Sequence, residues 1–237
     1  MVTGGSRGIG AGIVRRLAEE GANVGFTFHS HADAADALAD TVKGQGRKAL
    51  AIRADSREPP ALANAVDRVA DALGRIDIFV SSAGILLFKS IEELTLDDFE
   101  QVVATDLRAA FVGAKATLPH MQQGGRIIFI SSNIADHAAL PMTGCYAMAK
   151  SGLDGLMKGM ARDLGPKGIT VNTVHPGPIR TDANPEDGPY SGPLKARMAT
   201  PRYGRPEDVA GLVAYLASDE AQFATGSAFV IDNGFTA

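Results

Sequence analysis

The chain has 237 residues, 45% of them apolar and 21% charged, and a net charge of −4; it is long enough to bury a full core and gives no electrostatic reason to expect nucleic acid or an anionic membrane as partner. No apolar run nears the roughly 20 residues of a membrane span, and the first residues show no signal-peptide pattern. The single cysteine, Cys145, excludes an internal disulfide and suits a reducing cytoplasm.

Taken in order, Val2 and Thr3 are all that stands before the glycine-rich run Thr3–Gly10. A first strand would be almost absent there, which suggests that the natural protein starts several residues earlier. Ile9–Glu20 has helical apolar spacing and stops at Gly21, a C-terminal signal. Asn23–Phe28 reads as a buried strand, Ala32–Val42 as a helix, Lys48–Arg53 as a strand ending at Asp55, Pro60–Leu73 as a helix and Ile76–Val80 as a strand running into Ser81-Ser82-Ala83-Gly84. Thr95 caps a long helix from Leu96 through Asp106 to about Pro119, with Asp97 and Asp98 suited to its first turn. Arg126–Ser131 is a strand, Tyr146–Leu164 a helix and Ile169–Val174 a strand broken by His175-Pro176. A helix at Pro206–Leu216, with Pro at its first position, and a strand at Ser227–Ile231 close the chain. Strands of five to seven residues alternating with helices predict an α/β fold, a doubly wound parallel sheet covered on both faces. No repeat or linker divides residues 1–237, so they read as one domain.

Gly4, Gly8 and Gly10 lie between a strand end and a helix start, where backbone N–H groups and the helix dipole can hold a pyrophosphate. The end of the second strand then selects the cofactor. An acidic residue there would hold the ribose hydroxyls of NAD, but Phe28-His29-Ser30 offers no carboxylate and Arg7 supplies a cation, so NADPH is favoured. Tyr146 and Lys150 stand four apart on one helix face. An ammonium roughly 4 Å from a phenol, at an effective dielectric of about 20, favours the phenolate by about 4 kcal/mol, enough to bring a tyrosine toward about pH 7 and make it a useful proton donor.

With these residues in view, the whole chain resembles the short-chain dehydrogenase/reductase family. The resemblance rests on TGGSRGIG at Thr3–Gly10, Asp55, Ala83-Gly84, Ser132, Tyr146-x-x-x-Lys150 and PGPIRT at Pro176–Thr181. It implies a Rossmann-type sheet of about seven parallel strands, with NAD(P) across the strands' C-terminal ends, and a homo-oligomer, dimer or tetramer. Tyr146 would be the general acid in carbonyl reduction, Lys150 would tune it and bind the nicotinamide ribose, and Ser132 would hold the substrate oxygen. Gly4, Ser6, Arg7, Gly8, Ile9 and Gly10 would cradle the phosphates. Asp55 would meet the adenine edge, and Ile179 and Thr181 would fix the nicotinamide carboxamide. His29, Ser30, Ser56, Ser82, Ala83, Gly84, Pro176 and Gly177 complete the cofactor-binding residues that the resemblance implies. Adjacent strand residues face opposite ways, so Ser131 is the structural member of its pair.

Two departures from the family pattern stand out. Asp106 occupies the position of an asparagine that holds a proton-relay water near the lysine, so a carboxylate there would take field away from the tyrosine. Ser81-Ser82 replaces a pair of asparagines. Among weaker candidates, His29, His31, His120, His137 and His175 are scattered without a helical pair, so no metal site is expected. Asp136 and His137 either line the substrate pocket or are solvated, and Cys145 is expected at the cleft wall without a base to activate it. The Pro/Gly-rich stretch of about 182–202 reads as a lid whose Tyr190, Leu194 and Met198 close over substrate. A ketoacyl carrier would want basic residues at the mouth, with Lys89, Arg126 and Arg180 available.

The leading expectation is an NADPH-dependent carbonyl reductase. The run Thr181–Pro189 is also similar to a subgroup of the family that includes a cyclic-di-GMP-binding member, which makes a nucleotide-sensing binding protein the alternative. A dehalogenase on the same fold is disfavoured by Gly4–Gly10 and by Lys150.

Overall fold

In the computed structural model, which describes residues 1–237, seven strands form one parallel sheet in the spatial order β3-β2-β1-β4-β5-β6-β7. The first half runs β1 (Val2–Thr3), α1 (Gly8–Glu19), β2 (Val24–Phe28), α2 (Ala32–Gly44), β3 (Ala49–Arg53), α3 (Pro59–Leu73) and β4 (Ile78–Ser81). The second half follows as α4 (Leu96–Val102), α5 (Ala109–Thr117), β5 (Arg126–Ile130), α6 (Gly144–Leu164), β6 (Thr170–Pro176), α7 (Ser191–Lys195), α8 (Pro206–Ala217) and β7 (Ala228–Ile231). The strand order reverses between β1 and β4, and a doubly wound sheet opens a crevice at such a point beyond the strands' C-terminal ends.

Both faces of the sheet are covered, which is why the central strands read as unbroken apolar runs rather than alternating ones. All five residues of β2 and of β5 are buried. One core joins β1 and β2 to α1, α2 and α8 through Val2, Ile13, Phe26, Leu38 and Val213. The other joins β4, β5 and β6 to α3, α5 and α6 through Val66, Phe79, Ile127, Leu153 and Met157. No helix is long and apolar enough to cross a membrane.

Two residues suffice for β1 because its neighbours hold it on both sides: Val2 pairs with Phe26 and with Val80, and Thr3 with Ser81.

The long helix expected from Leu96 to about Pro119 forms without a break but is not α-helical throughout. Its start is as expected, with Thr95 Oγ1 accepting the Asp98 N–H at 3.1 Å and Asp98 Oδ2 accepting the Thr95 N–H at 3.0 Å. Between α4 and α5, however, Val103–Arg108 forms one π-helical turn. Single π turns inside α-helices occur frequently at functional sites; this one carries Asp106. A second difference lies in β6, which continues in register with β7 through His175 and Pro176 instead of stopping at Val174. Proline is tolerated here because it ends the strand, where its missing N–H breaks no ladder.

Candidate active site

A cleft of about 510 Å³ runs along the C-terminal ends of the central strands. Its lining includes Gly4, Ser6, Arg7, Gly8, Ile9 and Gly10 from the first loop and His29 and Ser30 beyond β2. It also includes Asp55 and Ser56 beyond β3 and Ser82, Ala83 and Gly84 beyond β4. Ser132, Tyr146 and Lys150 enter from β5 and α6, Asp106 from the π turn, and Pro176, Gly177, Ile179 and Thr181 from the end of β6. Every cofactor-binding and catalytic residue expected from the sequence therefore meets in one cavity.

The first loop is held from below. Gly4 N–H donates to Thr27 Oγ1 at 3.2 Å and Gly5 N–H to Thr27 O at 2.9 Å. Gly4 and Gly8 sit at φ of 66° and 54°, in the left-handed region that glycine enters without steric cost. A Cβ on Gly4 would fall 2.8 Å from the Ala83 backbone, and one on Gly10 would fall 2.2 Å from Gly4 O. Glycine at these positions lets the loop close on itself and bare its N–H groups at the start of α1. That cradle, open to the cleft, fits the pyrophosphate of the expected dinucleotide. Across the cleft, Thr3 Oγ1 accepts the N–H of Ser82 at 3.2 Å and of Ala83 at 3.3 Å, tying the β4 end to the loop.

At the adenosine end the structure adds a residue that the sequence reading missed. Arg57 forks onto Asp55, with Nη2 2.6 Å from Oδ2 and Nε 3.0 Å from Oδ1. This side-chain pair, ahead of the backbone bond from Arg57 N–H, holds the Asp55 carboxyl down at about 2. His29 Nε2 lies 3.5 Å from the same carboxylate. Arg7, His29 and Arg57 thus all stand at the cleft. The one available signal was an aspartate followed two residues later by a potential donor, a turn pattern that Asp and Asn favour.

At the reacting end, α6 presents Tyr146 and Lys150 on one face, as their spacing required. Ser132 follows β5 and faces the cleft, its Oγ accepting the Ile134 N–H at 3.3 Å, while Ser131 Oγ turns away and donates to Lys150 O at 3.0 Å. The two hydroxyls thus have different surroundings, one at the cleft and one against α6. Asp106 is fully buried, with Oδ1 3.0 Å from Lys150 Nζ and Oδ2 accepting the Ile85 N–H at 3.1 Å. Lys150 also donates to Ile130 O at 3.2 Å and lies 5.5 Å from the Tyr146 ring centre.

These contacts correct the electrostatic expectation for the tyrosine. Its pKa is raised, not brought toward neutrality: burial of the phenol is the largest cause, Lys150 opposes it, Asp106 adds to it, and the Ser132 hydroxyl opposes it. An ammonium considered alone gives the wrong sign because burial of the phenol outweighs it, and Asp106 adds to that burial. The Lys150 ammonium itself is held protonated: burial alone would lower its pKa, but Asp106 and Tyr146 together raise it. Gly84 is fitted to this pair, since a Cβ there would fall 2.7 Å from Asp106 Oδ1 and 3.2 Å from Lys150 Nζ.

Several weaker expectations resolve as well. Cys145 is buried with Val102 and Ala149 instead of lining the cleft, and loss of water pushes its thiol up, with Asp106 and Asp98 adding. His137 lines the cleft, whereas Asp136 turns back to pair with His175. His175 is not isolated, as scattered histidines would be: Asp136, Asp154 and His175 converge with their ligand-type atoms within 4.8 Å of one another. In the 182–202 stretch Leu194 reaches the cleft, but Met198 packs with Leu194 and Tyr203 beneath it and does not face substrate. Tyr190 stacks at 5.1 Å on Phe88, which lines the cleft. Of the three basic candidates, Lys89 is committed to Asp98 at 2.7 Å. Arg126 is buried at the start of β5, its guanidinium donating to Gly124 O at 2.7 Å, and Arg180 is exposed outside the lining.

Comparison with known proteins agrees with this geometry. The sequence model described as enoyl-(acyl carrier protein) reductase matches residues 4–236. The cyclic-di-GMP-binding biofilm dispersal mediator protein of Escherichia coli K12 is 43% identical, over 100% of this chain and 96% of its own length. The hydroxynaphthalene reductase of Aspergillus fumigatus is 35% identical, over 97% of this chain and 89% of its own. A short-chain dehydrogenase from Burkholderia cenocepacia J2315, solved in complex with NADP, superposes with a TM-score of 0.98 at 45% identity, covering 100% of this chain and 96% of that one. With the glycine loop, the serine and the Tyr–Lys pair gathered on one such sheet, the chain belongs to the short-chain dehydrogenase/reductase family of NAD(P)-dependent oxidoreductases.

Proposed function

We propose that this protein is an NADPH-dependent carbonyl reductase acting on uncharged, largely apolar ketones, and in the reverse direction on the matching secondary alcohols. The observation that carries the reading is that Ser132, Tyr146 and Lys150 share one cleft with the glycine loop and with the Pro176–Thr181 turn. Bound NADPH supplies the hydride. Ser132 Oγ donates a hydrogen bond to the substrate carbonyl oxygen, and the Tyr146 hydroxyl gives that oxygen its proton. Burial and Asp106 keep the phenol protonated, the form that reduction uses, while the raised pKa weakens it as an acid, so proton transfer relies on Lys150 and on a favourable carbonyl geometry. Lys150 stays cationic, holds the ribose and limits how far the phenol pKa rises. The cofactor preference is supported by Arg7, His29 and Arg57 at the adenosine end and by the NADP complex of the Burkholderia relative.

The substrate class follows from the cleft wall. Leu86, Phe88, Leu140, Leu194 and Phe235 line it; of the basic candidates, Lys89 is paired with Asp98, Arg126 is buried at the start of β5, and Arg180 lies outside the lining. Such a wall gains from burying apolar surface and offers no partner to a carboxylate or phosphate. The hydroxynaphthalene reductase relative supports the aromatic end of this range. We further propose the stretch of about 182–202 as the lid, with the Tyr190–Phe88 contact as its latch. The test is a panel of aryl and alkyl ketones read by NADPH absorbance, with NADH as control. Turnover with at least one apolar ketone is expected, reduced by about 100-fold or more in Tyr146→Phe. Failure to bind NADPH at micromolar concentration would end the proposal.

A second reading is favoured by one observation. The Escherichia coli relative is named for binding cyclic-di-GMP, and this chain replaces the relay asparagine with Asp106. In that reading the same cleft senses a nucleotide. Calorimetry with cyclic-di-GMP against NADPH separates the two, and no heat with the former removes the second.

A further inference from the structure

Behind the cleft, His175 is fully buried and touches none of the space that substrate or cofactor would fill. Its Nδ1 lies 2.5 Å from Asp136 Oδ2 and its Nε2 lies 2.9 Å from Asp154 Oδ1. A neutral imidazole has one N–H and one lone pair, so with a carboxylate at each nitrogen one contact would set lone pair against lone pair. An imidazolium donates to both, and the Thr173 hydroxyl, 3.2 Å from Nε2, then gives its one proton to Asp154 Oδ1 at the shorter distance. Each ring nitrogen thus has a carboxylate as its partner, which closes the cluster as an ion network.

What makes the network matter is where its members come from. Asp136 lies four residues beyond Ser132, on the loop after β5. Asp154 lies one turn beyond Lys150 and two beyond Tyr146 on α6. His175 immediately precedes the Pro176–Thr181 turn. Each of the three elements carries part of the candidate site, and His175 is the atom-to-atom link among them. Thr173, two residues back and therefore on the same face of β6, reinforces the link by donating to Asp154 Oδ1 at 2.7 Å. Ser151 Oγ adds a second tie from α6 to the loop, donating to Ala135 O at 3.0 Å.

We propose that His175 is a positioning residue: an imidazolium strut that holds the Ser132 loop, the Tyr146–Lys150 helix and the nicotinamide-facing turn in one arrangement. The proposal rests on the reductase reading only for its kinetic consequence. The charged groups around the ring are Asp136 from the loop and Asp154 from α6, with Lys158 acting on Asp154 from the next turn; β7 places apolar Val230 beside it in register. Burial would lower the imidazole pKa, but the hydrogen bonds and charges of Asp154 and Asp136 raise it above the ordinary histidine value. As pH climbs through that raised value the ring loses one N–H. Asp136, whose side chain is 44% exposed against 17% for Asp154, is then the partner that leaves for water, and the Ser132 loop loses its anchor.

The first measurement needs no substrate. Nitrogen-15 NMR of the ligand-free protein should find both His175 ring nitrogens protonated at pH 7 and the titration displaced to lower pH in Asp136→Asn, which is half-exposed and expected to fold. A single protonated nitrogen at pH 7 in the wild type overturns the strut. The second is kinetic: Asp136→Asn and His175→Asn should each lower kcat about ten-fold, with NADPH affinity within about two-fold of wild type, because misplacement of reacting groups by a fraction of an ångström is costly. The double variant should be no worse than the poorer single one, as for residues acting as a unit. Multiplying losses in the double variant, or unchanged kcat in both singles, overturns the positioning role. If the wild type turns over no ketone, it is the reductase reading that has failed, and the NMR result still decides the strut.

Discussion

Lys150 and Asp154 stand one turn apart on α6, and each belongs to a buried ion cluster, yet the two clusters are built to opposite ends. Around His175 both ring nitrogens and the facing carboxylates are engaged, and none of the three side chains enters the cleft. Around Lys150 the cluster is open. Asp106 Oδ1 lies 3.0 Å from the ammonium, and both residues line the cleft, so this cluster faces the space a bound molecule would fill. One cluster spends its charges on rigidity. The other sets its charges where chemistry is proposed.

The largest expected effect comes from breaking the open cluster. Lys150→Met leaves the Asp106 carboxylate buried without its counter-charge, a change that costs about 3–5 kcal/mol in comparable settings, and it removes the cation beside Tyr146. Urea unfolding should show that loss, and ketone reduction should fall to background. Lys150→Met/Asp106→Asn should recover about 2 kcal/mol or more, because the amide oxygen still accepts the Ile85 N–H and no orphan charge remains. It should recover no activity. Recovered stability together with recovered activity would mean that the lysine is structural only.

A smaller effect isolates the role of Asp106. In alcohol oxidation Tyr146 must be deprotonated to accept the substrate proton, so the rate rises through the tyrosine pKa. Asp106 pushes that pKa up, and Asp106→Asn removes the push while leaving the Lys150 charge to act on the phenol alone. The acidic limb of the oxidation profile should therefore move to lower pH, with oxidation several-fold faster on that limb. A profile that stays where it was removes Asp106 from the site.

The two clusters also differ in how far the sequence revealed them. Tyr146–Lys150 was legible because four residues along one helix fix a shared face. The glycine loop was legible because its spacing sits between a strand and a helix. Both are local patterns. Asp106 could be flagged as a departure at its position, but not aimed, since the π turn that points it at Lys150 has no signature in Val103–Arg108. The His175 cluster draws one residue from each of three elements separated by 18 and 21 positions, 136 to 154 to 175, and nothing in the order of residues brings them together. Arg57 was missed for a different reason: its partner Asp55 was read for what it offers a ligand, not for what already holds it. The sign of the Tyr146 shift was missed mainly because the burial of the phenol was left out, with the unaimed Asp106 carboxylate adding to it.

The smallest expected effect is the pH dependence that the closed cluster gives to stability. His175 has a folded pKa raised above its unfolded value of about 6.5, so its contribution is complete below about pH 6.5 and is lost as pH rises through the folded value. Asp154 has a depressed pKa, so its contribution is complete above its unfolded value of about 3.9 and is lost only as pH falls toward the folded one. Between these limits the cluster is at full strength. The difference in unfolding free energy between wild type and His175→Asn should thus be flat from about pH 5 to 6.5 and narrow on the alkaline side. The narrowing should be on the order of 1 kcal/mol, because water screens the half-exposed Asp136 partner. Asp106→Asn offers the matched control, since its cluster contains no group that titrates in that window in the unfolded chain. A difference that widens with rising pH would mean that His175 is buried neutral, and the two clusters would then differ in geometry alone and not in charge.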